Sequence, residues 1–168
     1  SPSGIIFVGN RRADNVFALK DTDGDKKIDK KYLITDKLKN MPNGVAYFNG
    51  DLYVAEVNKI WMFKNIEENL DYIDKFGEYP EEPILISDDY PSDRHHGWKY
   101  ISFGPDGKLY VPVGAPCNIC ESKDEVYSSI TRMNPDGSGK EVYAHGVRNT
   151  VGFTWHPETG EMWFTDNG

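Results

Sequence analysis

Apolar residues in this chain come in short runs, and glycine, proline, asparagine and aspartate punctuate them. Trp98 to Phe103 (WKYISF) and Lys108 to Val113 (KLYVPV) flank Gly104-Pro105-Asp106-Gly107, a composition that predicts a tight β-hairpin. Two further hairpins follow the same plan. Asn43 to Phe48 turns at Asn49-Gly50 into Asp51 to Ala55, and Thr150 to Trp155 turns through Pro157, Thr159 and Gly160 into Glu161 to Thr165. With Gly50, Gly107 and Gly160 in register, Leu52, Leu109 and Met162 become equivalent, and so do Tyr53, Tyr110 and Trp163. The glycines are 57 and 53 residues apart, slightly long for the repeat of a propeller blade.

The remaining runs complete the pattern. Gly4 to Gly9 and Asn15 to Lys20 read as a strand pair, with Tyr32 to Ile34 beyond them. Lys59 to Phe63 and Glu82 to Ser87 add strands to the second unit, on either side of a polar excursion, and Tyr127 to Met133 and Lys140 to Tyr143 add strands to the third. The expected fold is therefore all-β. It is a β-propeller fragment of about three four-stranded blades: an incomplete blade at 1–40, blades at 41–88 and 95–145, and a half blade at 146–168. Such a piece belongs to a larger ring. Its uncovered blade faces predict self-association and, alone, no catalysis.

Charge narrows the partners. Nineteen basic against 27 acidic residues give a net charge of −8, which argues against a nucleic-acid partner. No apolar run is long enough to span a bilayer. The two cysteines, Cys117 and Cys120, share one loop and make no disulfide framework. They fit a small ring pinning that loop, or free thiols; redox catalysis is disfavoured because no helix pattern follows to lower a thiol pKa.

Three groups of residues could carry chemistry. His95 and His96 precede an inner strand, where imidazole is a ready proton acceptor near neutrality, although a loop-anchoring role fits a histidine there too. Arg148 and Asn149 enter the next inner strand. His96 and Asn149 each lie 11 residues before their hairpin glycines, which predicts that they converge at one end of the ring. An arginine fork with an asparagine amide suits an anionic, oxygen-rich ligand, or equally braces a loop. Asp21, Asp23, Asp25 and Asp29 have the spacing of an EF-hand loop, but Lys26 stands where glycine is needed and Tyr32 where glutamate is. A weak surface Ca²⁺ site and a solvated turn both fit. Trp61, Trp98, Trp155 and Trp163 are expected as packing between blades, with Trp98 also able to wall a ligand site.

The string from His96 through Phe103-Gly104-Pro105-Asp106-Gly107 to Tyr110 carries a resemblance, together with Gly146-Val147-Arg148-Asn149, Trp155, Pro157, Thr159-Gly160, Met162-Trp163 and Asp166-Asn167-Gly168. It resembles the soluble quinoprotein sugar dehydrogenases, and among them the sorbosone dehydrogenase branch. The resemblance covers about half of the chain, mostly residues 95–168. It implies a six-bladed parent holding pyrroloquinoline quinone and Ca²⁺, with a sugar or aldehyde as substrate and a separate electron acceptor. It also implies that His96 is the general base for hydride transfer to the quinone, and that Arg148 and Asn149 contact the cofactor. A periplasmic or secreted location is implied as well, in keeping with a Cys117–Cys120 bond. Tyr100 and Val151 depart from the family, which commonly has arginine and glutamine there. The competing readings are a propeller that only binds or scaffolds, and a Ca²⁺-dependent lactonase-like propeller; for the latter the inner-strand leaders show no convergent carboxylates.

Overall fold

The computed structural model describes residues 1–168, folded as successive antiparallel sheets in which each strand pairs with its neighbours in sequence. The first sheet holds β1 (Ile6–Val8), β2 (Val16–Lys20) and β3 (Lys30–Thr35). The second holds β4 (Gly44–Phe48), β5 (Asp51–Ala55), β6 (Ile60–Phe63) and β7 (Ile84–Ser87). In the third are β8 (Ser102–Phe103), β9 (Leu109–Val113), β10 (Ser129–Met133) and β11 (Glu141–His145), and β12 (Thr150–Trp155) pairs with β13 (Met162–Asp166) in the fourth. This is an all-β, propeller-like arrangement of three- and four-stranded sheets with one two-stranded sheet.

Side chains alternate across each strand, so a strand between two neighbouring sheets must be apolar on both faces. Leu52 and Val54 of β5 face a core shared with Val16, Ala18, Tyr32 and Ile34 of the first sheet. Tyr53 and Ala55, on the other face of β5, join Leu109, Val111 and Val113 of β9. Tyr110 of β9 points the opposite way, into a third cluster with Ile130, Val147 and Phe153. Continuous burial along β5 and β9 is thus the joint between successive sheets.

Three details depart from the sequence expectations. The polar excursion after β6 contains a helix, α1 (Leu70–Phe76), which buries Leu70 and Ile73 in the first core and ends at Gly77, whose left-handed φ of 77° lets its N–H reach the Ile73 carbonyl. The inner strand expected from Trp98 is only two residues long. The backbone of Lys99 pairs instead with the Asn43 side chain, which donates to the Lys99 carbonyl at 3.0 Å and accepts from its N–H at 3.3 Å. Trp163 does not pack between sheets: it is 63% exposed on β13, whereas Trp61 and Trp155 lie against the cores.

Candidate functional site

One end of the sheets gathers the loops that lead into inner strands and the loops that link β1 to β2, β5 to β6 and β9 to β10. His96, Arg148 and Asn149 all lie there, brought together by the chain leaving β9. The Ala115 carbonyl accepts a hydrogen bond from His96 Nδ1 at 2.9 Å, and the Ala115 N–H donates to the Arg148 carbonyl at 2.8 Å. Gly114 makes the approach possible. A Cβ on it would stand 2.5 Å from His96 Cβ and 3.1 Å from Asn149 Oδ1.

A carbonyl can only accept, so the bond to Ala115 places the His96 proton on Nδ1 and leaves the Nε2 lone pair without a protein partner. His96 also holds a left-handed φ of 52°, a conformation that non-glycine residues adopt at a cost. Its ring lies 4.1 Å from that of His95 and meets Trp98 edge-on at 6.5 Å, while the Arg11 guanidinium sits 3.7 Å from the centre of the Trp98 ring. The loop from the first sheet therefore reaches the same rim.

Asn149 is 3% exposed, yet its carboxamide finds no hydrogen-bond partner within the protein. The neighbouring Thr150 Oγ1 is buried and unpartnered as well. Arg148 is held differently. Its Nη1 donates to the Asn167 carbonyl, and its Nη2 to the Asn118 carbonyl at 3.3 Å. No carboxylate pairs with this guanidinium, because Asp166 uses its two oxygens on the backbone N–H groups of Arg148 and Asn149, at 3.2 and 2.8 Å. The arginine is oriented without being neutralised. It borders a cavity of about 230 Å³ together with Ala115, Cys117, Asn118, Cys120, Ser128 and Gly146. Cys117 and Cys120 are joined in a disulfide. A larger depression of about 710 Å³ lies between the second and third sheets and includes none of the three candidate residues; its Asp89 and Asp93 carboxylates already meet Lys140 and Tyr127.

The Asp21 turn joins β2 to β3, at the opposite end of the sheet from the loop that carries Arg11. Carboxylate oxygens of Asp21, Asp23 and Asp29 lie within 4.8 Å of one another, a cluster that could hold a cation. Asp25 falls outside it and pairs with Lys27 at 2.8 Å. The N–H groups of Gly24 and Lys26 hold the Asp21 carboxyl below its ordinary value, and the Thr22 N–H and hydroxyl do the same for Asp29. The four aspartates are therefore not one ligand set, and they are remote from His96.

Comparison with known proteins assigns the chain. The DUF7133 family, a domain of unknown function, matches residues 7–168. The chain belongs to the DUF7133 family. An uncharacterized protein of Borreliella burgdorferi is 32% identical over 170 residues, covering 98% of this chain and 42% of that protein. The iodide structure of the Trichoderma reesei carbohydrate-active enzymes family AA12 superposes with a TM-score of 0.73 at 18% identity, over 98% of this chain and 43% of that one. The pyranose dehydrogenase PQQ domain of Coprinopsis cinerea, in its holo form, gives a TM-score of 0.65 at 12% identity, over 91% and 42%. A nidogen/laminin complex gives 0.60 at 14% identity, over 96% and 52%. At these identities the likeness is one of fold. This DUF7133 domain spans about two-fifths of the length of the relative and of the first two structures.

Asn118, Gly114 and Asp166 went unrecognised as site residues from sequence. Asp166 and Asn118 act through acceptor oxygens on groups far away in the chain, and only a close approach in space explains the glycine. The one available signal was position: Gly114 directly follows β9 and Asp166 is the last residue of β13, both at strand ends that reach the rim.

Proposed function

We propose that this DUF7133 domain is part of a quinoprotein dehydrogenase of the sugar-oxidising kind, within a six-bladed propeller to which it contributes blades at 1–40, 41–88 and 95–145 and a half blade at 146–168. The observation that carries the reading is the state of His96: an imidazole with its proton fixed on Nδ1 and Nε2 unpartnered, across Gly114 from an Asn149 amide that has no protein partner. The donor set suits pyrroloquinoline quinone, a flat anion rich in carboxylates and carbonyls: Arg148 retains its full positive charge, and Asn149 offers both a donor and an acceptor.

When bound, the quinone with its Ca²⁺ supplies a two-electron hydride acceptor. Arg148 and Asn149 would hold its oxygens. His96 Nε2 receives the proton of the substrate hydroxyl as the carbon bearing it is oxidised, and the developing positive charge on the ring is shared with the Ala115 carbonyl through Nδ1–H. The substrate class is a sugar or aldehyde with a free oxidisable centre, and an external acceptor takes the electrons onward. The location is periplasmic or secreted, which the Cys117–Cys120 bond supports. The Asp21, Asp23 and Asp29 cluster is a separate, weak surface Ca²⁺ site outside this chemistry.

Titrating quinone in the presence of Ca²⁺ into the full-length protein tests the reading. Arg148→Ala is expected to weaken binding, and unchanged affinity would remove Arg148 from the site. A second reading, a propeller that only binds or scaffolds, is favoured by the hydrogen bonds that tie Arg148 to Asn167 and Asn118. It predicts no quinone binding at all.

A further inference from the structure

Asn118 lies between two groups that the sequence keeps far apart. Its Oδ1 is 2.9 Å from His95 Nε2, and the Arg148 Nη2 donates to its carbonyl at 3.3 Å with Oδ1 at 3.5 Å. An amide oxygen only accepts, so His95 donates from Nε2–H in the first of these bonds. The same short segment therefore contacts both the ring that lies tilted against His96 and the guanidinium two strands away. Asn118 is itself exposed, and on an open loop two such bonds would be weak and transient. The Cys117–Cys120 disulfide closes a four-residue ring around Asn118 and restricts its backbone.

We infer that Asn118 is a positioning residue, and that the Cys117–Cys120 ring is a strap holding Arg148 in its ligand-ready orientation. The consequence for ligand binding rests on the quinone reading above; the strap itself does not. Arg148 has a long side chain whose only restraints are the carbonyl of Asn167 on one nitrogen and Asn118 on the other. Both are neutral oxygens, so the fork is immobilised with its charge intact. If the Cys117–Cys120 ring were opened, the Asn118 carbonyl would no longer be held against Nη2 and the ligand would have to order that side chain itself, a cost equivalent to about tenfold in affinity. The strap is open to reduction: a dithiol breaks the S–S bond to two cysteine thiols and leaves as its own cyclic disulfide.

The test uses the full-length protein with nitrogen-labelled arginine and histidine and two readouts. The first is the Arg148 guanidinium and His95 imidazole resonances without cofactor. In the parent, Arg148 should show restricted Nη rotation; dithiol reduction, or the double variant Cys117→Ser/Cys120→Ser, should release it and shift His95, whereas Asn118→Ala, which keeps the backbone carbonyl that Arg148 uses, should shift His95 alone. Arg148 signals unchanged when the Cys117–Cys120 ring is opened would overturn the inference, as would His95 signals unmoved in Asn118→Ala. The second readout is titration with pyrroloquinoline quinone and Ca²⁺, where Cys117→Ser/Cys120→Ser is expected to bind about tenfold more weakly and Asn118→Ala near the parental level. Released resonances with no quinone binding in the parent would uphold the strap and refute the quinone reading. Released resonances with parental affinity in Cys117→Ser/Cys120→Ser would overturn the claim that the strap serves the ligand.

Discussion

Lys99 is the residue at which sequence and environment conflict most. It is 2% exposed, with one long hydrogen bond, 3.4 Å from Nζ to the Pro112 carbonyl, and the Tyr90 ring 5.2 Å away. Burial disfavours the charged amine and lowers its pKa from 10.5 to about 8. Between those values the unfolded chain binds a proton that the folded chain does not, so stability rises with pH from about 8 upward. Below 8 both states are protonated and the penalty is fully present, on the order of 3 kcal/mol. Tyr53, raised to about 12 by burial, acts in the opposite sense, but only above the ordinary tyrosine value of 10.0. Urea midpoints at pH 7 and 9.5 should therefore show the wild type gaining on Lys99→Met; parallel shifts in the two proteins would show that Lys99 is not the cause. This burial is not legible from the residue pattern, since lysine in a strand run reads as the exposed face. For His96 and Asn149 it was more informative. Equal distances from their hairpin glycines were enough to place them at one end, while Asn118 and Asp166 contribute through contacts that no spacing encodes.

Among the elements, the hairpins were the legible part. Alternation with period two, closed by Asn49-Gly50 or Gly104-Pro105-Asp106-Gly107, specifies both strands and the turn, and β4–β5 and β8–β9 form at those places. The helix α1 was missed because its face is narrow: Leu70 and Ile73 are its buried positions, set amid acidic residues, and two apolar positions are easily read as part of a polar loop. β8 came out shorter because a side chain, Asn43, substitutes for a strand partner. At the end of β9, close approach sets the limit. Gly114→Ala would drive a methyl group into His96, and overpacking of this kind costs about 1–3 kcal/mol. A thermal melt of that variant matching the wild type, with His96 resonances unmoved, would contradict the geometry described. The disulfide strap is checked by intact mass after alkylation, with and without reduction: no label without reduction and two after it.

At the scale of the molecule, burial is strong between sheets and weak at the outer ones. Ile6 and Val8 of the first sheet are 53% and 38% exposed, and Val151, Trp163 and Phe164 of the fourth are 52%, 63% and 46% exposed. Apolar sheet faces of this kind associate in water. The 168-residue chain by itself is expected to sediment with a mass that grows with concentration and to show no quinone-dependent sugar oxidation; a monomer at all concentrations, or robust turnover, would contradict those two expectations in turn. The central claim is narrower, namely that His96 Nε2 is the proton acceptor. It is tested most directly by turnover of an aldose by the full-length protein with pyrroloquinoline quinone and Ca²⁺, compared with His96→Ala at neutral pH under saturating cofactor. The account predicts a fall in rate of about 10² to 10⁴ with quinone binding retained; turnover by His96→Ala at the parental rate would contradict it.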